Sequence, residues 1–206
     1  MKGEPKPETV FKGQLITVKL QPVRRPNGKI ARYEMVDHPD AAAIVAVLNR
    51  DGEPMVALVR QERPAIGQET WEIPAGLIGD DDHDNPEETA MRELREETGF
   101  TAGTLRFLHR HYPSPGFMNE AISIYLATDL REAPGAPPPD PDEISDLRWT
   151  PLSEAMEMCR KGEISDGKTV IGLWLARDVL AQGVPAPKGT RRPRRRSTQA
   201  QAPAAL

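Results

Sequence analysis

The stretch that decides the fold is an acidic segment that ends in glycine, Arg92-Glu93-Leu94-Arg95-Glu96-Glu97-Thr98-Gly99-Phe100. Upstream, Asn85-Pro86-Glu87-Glu88 has the features of a helix start: an N-capping residue, a proline at the first helical position and a glutamate that completes a capping box. Gly99 predicts the helix end, because glycine adopts the left-handed conformation without a steric penalty. Glu96 and Glu97 therefore lie in the last helical turn.

Three carboxylates at this helix end are unfavourable by themselves. The partial negative charge of a helix C-terminus costs each carboxylate roughly 0.3–1 kcal/mol. Glu93, Glu96 and Glu97 also share an arc of about 100°, which adds repulsion of roughly 0.2–0.5 kcal/mol per close pair. A divalent cation reverses the sign of these terms, and hard oxygen ligands suit Mg²⁺, with Mn²⁺ as the second candidate. The alternative interpretation is a solvated charged helix face.

These residues resemble the Nudix hydrolase family, whose box reads G-x5-E-x7-R-E-U-x-E-E-x-G-U, with U an aliphatic or aromatic residue. Residues 92–100 match the second half of the box at every specified position, and Gly76, at the end of Glu69-Thr70-Trp71-Glu72-Ile73-Pro74-Ala75-Gly76, supplies its first glycine. Seven residues rather than five separate Gly76 from Asp84, which stands where the family has glutamate. We interpret this difference as a two-residue loop insertion that preserves activity, and the role of Asp84 stays open.

The resemblance implies how the box residues act. Glu93 and Glu97 are implied to be the principal metal ligands, and Glu96 is implied to assist through the metal or its bound water. The carbonyl oxygen of Ala75 is implied to complete the ligand set. Arg92 is implied to pair with a box glutamate and to orient it.

The resemblance also places the general base on a loop after the box. The segment 133–143 is rich in proline and ends with acidic residues, and its position relative to Trp149 favours Glu143 as the base. Asp142 is the second choice, and a solvent-exposed loop acid is the competing interpretation for Glu143. A carboxylate on a lid can accept a proton without permanently repelling an anionic substrate.

Substrate contacts are expected on both sides of the box. Pro115 falls about sixteen residues beyond the box, a position that is typical of the ADP-ribose pyrophosphatase group. The family places a phosphate-binding arginine at the position of Arg63, where a guanidinium can bind two oxygens at once. Arg60 is a second candidate, because Arg60-Gln61-Glu62-Arg63 follows a predicted strand, and Glu120 is a candidate acceptor for a ribose hydroxyl. A surface arginine without a ligand is the alternative for Arg63.

The resemblance therefore predicts Mg²⁺-dependent hydrolysis of ADP-ribose to AMP and ribose 5-phosphate. A second enzyme hypothesis keeps the reaction but changes the substrate to a nucleotide sugar or NADH. A third hypothesis is a non-catalytic ligand-sensing module whose tail binds nucleic acid. The presence of all three box glutamates argues against the third hypothesis, because a pure binding module does not need them.

Composition limits the class of protein. With 206 residues, 38% of them hydrophobic and 28% charged, the chain suits one globular domain with tails. It contains no apolar run that could cross a bilayer, and its first residues lack the apolar core of a signal peptide, so we expect a cytoplasmic protein without a membrane partner. Cys159 is the only cysteine, which excludes an intrachain disulfide and a cysteine-based zinc site.

We expect four segments. Residues 1–8 form a flexible N-terminus, and residues 9–38 form a small β-strand subdomain, which the resemblance implicates in a homodimer. Residues 39–183 form the Nudix domain. Residues 184–206 form a disordered basic tail rich in Pro, Arg and Ala, the one segment expected to contact nucleic acid. A tail that changes little is the competing interpretation.

Periodicity completes the fold prediction. Strands are predicted at 10–23, 30–36, 41–48, 55–60, 105–112, 121–127 and 147–150, and further helices at 153–161 and 169–181. The first two strands are joined by Arg25-Pro26-Asn27-Gly28-Lys29, a turn that needs positive φ. The pattern fits the α/β class, and the resemblance specifies a Nudix-type α/β/α sandwich with a mixed sheet.

Overall fold

The computed structural model describes residues 6–79, 85–136 and 146–183, and its elements are numbered in chain order. The strands are β1 (Glu8–Lys12), β2 (Thr17–Arg24), β3 (Ile30–Asp37), β4 (Ala41–Arg50), β5 (Glu53–Arg63), β6 (Gln68–Glu72), β7 (Ala75–Leu77), β8 (Phe100–His111), β9 (Ile122–Glu132) and β10 (Asp146–Pro151). The helices are α1 (Pro86–Thr98), α2 (Leu152–Lys161) and α3 (Gly167–Ala181).

Strand β4 is the central strand of a mixed sheet in the order β10-β5-β4-β9-β8, with β6 paired to β5 and β7 paired to β4. The pairing of β4 with β9 is parallel, whereas β4 pairs antiparallel with β5 and β7. Alternate β4 side chains enter two different cores: Ala41, Ala43, Val45 and Val47 face one, and Ala42, Ile44 and Ala46 face the other. A strand that is apolar on both faces requires a covering layer on each side.

The helices supply these two layers. Ala90 and Leu94 of α1 pack in the core with Ile44, whereas α2 and α3 pack in the core with Val45. Helix α3 approaches the sheet closely at Gly172, where a Cβ atom would lie 2.9 Å from Cγ2 of Val45. The arrangement confirms the predicted α/β/α sandwich with a mixed sheet.

The N-terminal subdomain differs from its prediction in one respect. It is a three-stranded antiparallel sheet in the order β1-β2-β3, so the prediction of one strand over 10–23 is wrong. The chain turns between β1 and β2, where the backbone N–H of Gly13 donates to the carbonyl of Ile16 at 2.8 Å. The predicted turn between β2 and β3 is present, and Gly28 adopts the positive φ of 78°.

Several sequence predictions fall on residues that the structure does not describe. The first five residues, part of the loop before α1, the loop before β10 and the basic tail from residue 184 onward lie outside the described ranges. Within those ranges, no helix is long and apolar enough to span a membrane.

Candidate active site

Helix α1 carries its acidic end into the protein. The side chain of Asn85 accepts a hydrogen bond from the backbone N–H of Glu87, and Gly99 adopts φ 75° at the C-cap, so the predicted helix start and end are confirmed. Glu93 and Glu97 are only 8% and 5% exposed. Burial of ionised carboxylates costs free energy unless positive charge or hydrogen bonds compensate for it. The end of α1 therefore needs compensating groups.

Arg92 supplies part of this compensation. Its Nη2 lies 2.8 Å from Oε1 of Glu93, and its Nη1 lies 2.8 Å from Oε2 of Glu96. Nη2 also donates to the carbonyl of Leu77 at 3.4 Å. One guanidinium thus holds two carboxylates and connects α1 to β7. Arg92 therefore offsets part of the negative charge that Glu93 and Glu96 bring to this end of the helix.

Gly76 allows the Glu93 carboxylate to lie directly against the backbone of β7. A Cβ atom at position 76 would lie 1.8 Å from Oε1 and 2.2 Å from Cδ of Glu93. Any side chain at this position would displace the carboxylate. Ala75, the implied carbonyl ligand, is the neighbouring residue of β7 and pairs with Ala43 of β4. The glycine therefore keeps the Glu93 carboxylate next to the strand that contains Ala75.

The oxygen atoms of this surface have the chemistry that hard divalent cations prefer. Across residues 6–79, 85–136 and 146–183, however, no three His, Cys, Asp or Glu side chains converge on one metal position. Glu93 and Glu96 instead turn toward Arg92, which lies between them. This is the arrangement that like charges adopt around one guanidinium.

Arg63 is held rigidly beside this surface. Its Nε donates to Oε1 of Glu72 at 2.7 Å, and its Nη2 donates to Oε2 of Glu72 at 2.6 Å. Nη2 also donates to Oε1 of Gln61 at 2.6 Å. The charge of Glu97 contributes, after the hydrogen bond to Glu72, to a raised pKa of Arg63. Arg63 is therefore electrostatically linked to the acidic end of α1.

A buried lysine joins this pair from the other helical layer. The ammonium of Lys168, at the start of α3, binds Oε2 of Glu72 and lies 3.1 Å from Oδ2 of Asp166. Thr70 donates its hydroxyl to Oε1 of Glu72. Asp166 also caps α3 by accepting from the backbone N–H of Thr169 at 2.9 Å. Glu72 is therefore the centre of a charged cluster, Arg63–Glu72–Lys168–Asp166, which we call the α3 charge cluster.

These contacts change the ionisation of Glu72. Burial by itself would favour its neutral form, but the hydrogen bonds from Arg63 and the charge of Lys168 outweigh burial and lower the pKa of Glu72 to about 2. The carboxylate is consequently ionised over the whole pH range in which proteins normally function.

Arg60 and Arg63 do not contact the same region. They are three positions apart on β5. Because successive strand residues point to opposite faces, their side chains lie on opposite faces of the sheet. Arg60 forms an ion pair with Glu69, and its guanidinium lies 5.9 Å from the ring centroid of Trp71. Of the two predicted substrate arginines, the structure places only Arg63 beside the acidic end of α1.

The loop between β8 and β9 contains the other two predicted substrate contacts, Pro115 and Glu120. Pro115 lies in a turn in which the N–H of Met118 donates to the carbonyl of Ser114 at 2.9 Å. Glu120 lies 3.6 Å from Nδ1 of His38, in a half-buried position. Burial raises the pKa of Glu120, whereas the charges of His38 and Lys168 lower it, and the net direction is upward. Glu120 therefore lies within the electrostatic range of the α3 charge cluster.

The sequence analysis missed three members of that cluster, Glu72, Lys168 and Asp166. Glu72 is a charged residue between Trp71 and Ile73, just before a proline, in a segment predicted to be a strand. A carboxylate among apolar neighbours signals a buried charge that needs a cation, but the sequence does not identify the cation. Lys168 is 96 residues away along the chain. The predicted base Glu143, its alternative Asp142, and Asp84 lie outside the described residues.

Known proteins resemble this chain in sequence and in structure. A family described as "NUDIX domain" matches residues 37–171. The chain is 36% identical to the "Methanol dehydrogenase activator" of Bacillus methanolicus, over 82% of this chain and 88% of that protein. It is 35% identical to the "ADP-ribose pyrophosphatase" of Bacillus subtilis (strain 168), over 81% of this chain and 87% of that protein. A solved structure described as "Crystal structure of ADP compounds hydrolase" superposes with a TM-score of 0.72 at 26% identity, covering 89% of this chain and 99% of that chain.

The ionisation of Glu72 predicts a stability change at acidic pH. The folded-state pKa of about 2 lies below the ordinary value of 4.5, so the stabilisation is complete above pH 4.5 and is lost as the pH falls toward 2. The shift corresponds to roughly 3 kcal/mol. We expect Glu72→Gln to lose about 3–5 kcal/mol at pH 7 and to show a flatter pH dependence than wild type between pH 4.5 and 2.

Urea unfolding of wild type and variant across this pH range measures both effects. Glu69→Gln is the matched control, because Glu69 is on the same strand and its side chain is 38% exposed. Equal pH profiles for wild type and Glu72→Gln would contradict the assignment.

Proposed function

Because this chain belongs to the Nudix family, we propose that it is a cytoplasmic, Mg²⁺-dependent pyrophosphohydrolase that cleaves ADP-ribose to AMP and ribose 5-phosphate. The observation that carries the proposal is the acidic end of α1 against Gly76, with the guanidinium of Arg63 fixed beside it. The similarity to the ADP-ribose pyrophosphatase of Bacillus subtilis supports ADP-ribose as the substrate.

The metal ligands in this proposal are Glu93, Glu96, Glu97 and the carbonyl oxygen of Ala75. Two observations support a fit: Glu93 and Glu97 are buried carboxylates at one helix end, and Gly76 leaves room for the Glu93 carboxylate on the strand. When bound, Mg²⁺, or Mn²⁺ in its place, neutralises diphosphate charge and lowers the pKa of a bound water.

In this proposal, the chain's own residues bind the diphosphate, orient the metal ligands and deprotonate the attacking water. Arg92 holds Glu93 and Glu96 at the α1 surface, and so orients two of the proposed ligands. Arg63 binds the diphosphate with the guanidinium edge that does not contact Glu72. Glu143 accepts the proton of the attacking water, and Asp142 is the alternative base.

The remaining candidates are given narrower roles. Glu120 accepts a hydrogen bond from a ribose hydroxyl, which is consistent with a half-buried carboxyl group whose pKa is raised by burial. Pro115 stiffens the loop that leads to Glu120, because proline fixes its own φ. Arg60 contacts Glu69 and Trp71 on the opposite face of β5, so we assign it no contact with the diphosphate.

A substrate panel tests the proposed activity. The purified protein is incubated with Mg²⁺ and ADP-ribose, a nucleotide sugar or NADH, and the products are identified chromatographically. We expect AMP and ribose 5-phosphate from ADP-ribose at a rate at least about tenfold above the other compounds, because NADH and a nucleotide sugar carry a different group beyond the diphosphate and so make different transition-state contacts. Faster cleavage of GDP-mannose or NADH would favour the second enzyme hypothesis, and nucleic-acid binding without hydrolysis would favour the sensing module.

The proposed metal site predicts a specific loss of turnover. Glu97→Gln keeps the size of the side chain but removes its charge, and we expect AMP release to fall on the order of 100-fold or more with the fold retained. Thermal unfolding checks the fold, and titration calorimetry with Mg²⁺ or Mn²⁺ checks metal binding. Glu88→Gln is the control, because Glu88 is exposed in the first turn of the same helix. Wild-type turnover in Glu97→Gln would remove the metal assignment.

We also propose that two copies associate through the N-terminal sheet. Large apolar side chains on β1, β2, β3 and the adjoining loops are exposed, which is typical of interaction surfaces: Val10, Phe11, Leu15, Val23, Ile30, Tyr33 and Phe117. Strand β1 is also a sheet edge with unpaired backbone groups. The resemblance stated above favours a second copy of this chain as the occupant.

The proposed homodimer predicts a change in mass. Wild type should elute as a dimer in size-exclusion chromatography with light scattering, and Phe11→Glu should shift it to a monomer, because a carboxylate would be buried in an apolar interface. Lys12→Glu is the control, because Lys12 is the next residue on β1 and points to the opposite face. A monomeric wild type would refute this proposal.

A further inference from the structure

We propose that Lys168 is a positioning residue for the diphosphate-binding guanidinium of Arg63, and that it acts through Glu72. The inference rests on the proposed function, because it assumes that Arg63 binds the diphosphate. It assigns a role to the start of α3, an element that contributes no metal ligand and no base to the proposed reaction.

The first observation is that one edge of Arg63 is fully used. Its Nε and Nη2 bind the two oxygens of Glu72 at 2.7 and 2.6 Å, and Nη2 also binds Gln61 at 2.6 Å. Among the described residues, Nη1 makes no hydrogen bond, and the side chain is 44% exposed. The two N–H groups on Nη1 therefore face outward from a guanidinium that cannot rotate freely.

The second observation is that Glu72 itself is held from behind. Its side chain is only 3% exposed, and its Oε2 accepts from both Lys168 and Arg63. The Lys168 side chain is 8% exposed, so its ammonium is kept out of water and directed at Glu72. The hydroxyl of Thr70 donates a hydrogen bond to Oε1, the other carboxylate oxygen of Glu72. The position of Glu72 thus depends on donors from β5, β6 and α3 together.

The third observation concerns how α3 is attached. The backbone N–H of Ile73, just after β6, donates to Oγ1 of Thr169 at 2.9 Å. Asp166 caps the helix and also lies 3.1 Å from Nζ of Lys168. The start of α3 is therefore fixed to the segment that leads from Glu72 to the strand with Ala75. Lys168 is presented from a rigid element rather than from a loop.

Charge gives Lys168 a further effect on Arg63. The α3 charge cluster is neutral when all four groups are ionised, and its net charge becomes negative if the ammonium is removed. Glu120 and Glu97 are nearby acids that already oppose an anionic ligand. Without Lys168, the diphosphate would approach a guanidinium whose charge is cancelled by Glu72. Binding should therefore weaken more than the chemical step slows.

Steady-state kinetics with ADP-ribose and Mg²⁺ test this. We expect Lys168→Met to raise KM about tenfold, with kcat changed less than about threefold. Lys168→Arg keeps the charge and should restore KM to within about threefold of wild type. Lys161→Met is the matched control, because it removes an exposed lysine at the end of α2. An unchanged KM in Lys168→Met would overturn the proposal.

A double-mutant cycle separates positioning from a general structural role. If Lys168 acts through Arg63, Lys168→Met should have no further effect on KM in an Arg63→Ala background. The same fold-change in both backgrounds would contradict that mechanism. Lys168→Gln, which removes the ammonium charge from Glu72 but keeps a polar side chain, replaces Lys168→Met in the cycle if the latter does not fold.

A readout without substrate distinguishes this inference from the proposed function. In NMR spectra of ¹⁵N-labelled protein, the Nε–H of Arg63 should exchange slowly with water in wild type and Lys168→Arg, and at least about tenfold faster in Lys168→Met. Equal exchange in all three proteins would refute positioning. If wild type hydrolyses no diphosphate, the proposed function fails, while the exchange rates still decide whether Lys168 positions Arg63.

Discussion

Buried negative charge is the constraint on which the rest of this site depends. Glu93 and Glu97 sit almost out of water at the end of a helix whose own dipole opposes them. Arg92 pairs with Glu93 and Glu96 and so offsets part of the negative charge at this helix end. Such a cluster is unfavourable for folding by itself, and the proposed divalent cation would stabilise it. The glycine at position 76 supports this view, because it gives space to a carboxylate instead of to a side chain that would stabilise the core.

The sandwich directs one helix end from each layer toward β6 and β7. Helix α1 presents carboxylates from one face of the sheet, and α3 presents Lys168 from the other face. The two are connected through Arg63, whose guanidinium binds Glu72 and experiences the charge of Glu97. The acidic surface and the α3 charge cluster are therefore parts of one electrostatic system. A substitution at the start of α3 should change the affinity for an anion bound near α1, although no α3 residue is a proposed metal ligand.

Local signals explain what could be predicted from sequence. The caps of α1 follow from Asn85 and Gly99, which act on their immediate neighbours, and the buried strand β4 follows from an unbroken apolar run. The break between β1 and β2 was missed because a hydrogen bond at Gly13 interrupts a segment of otherwise strand-like composition. The contact of Lys168 with Glu72 was out of reach, because it forms only when α3 packs against the sheet. The alternation of side chains along a strand places Arg60 and Arg63 on opposite faces of the sheet. This argument could be used only once both were known to lie within one strand.

The α3 charge cluster is better explained by orientation than by stability. Replacing a buried ion pair by apolar residues of similar volume is often neutral or stabilising, so folding alone does not require ionised groups at Glu72 and Lys168. An apolar pair would, however, leave the guanidinium of Arg63 without the two acceptors that fix its plane. Arginine is suited to bidentate recognition only when its fork is held in one direction. The buried charges of Glu72 and Lys168 are therefore best explained by preorganisation. They hold the outward edge of the Arg63 guanidinium in the direction that binds a diphosphate before the substrate arrives.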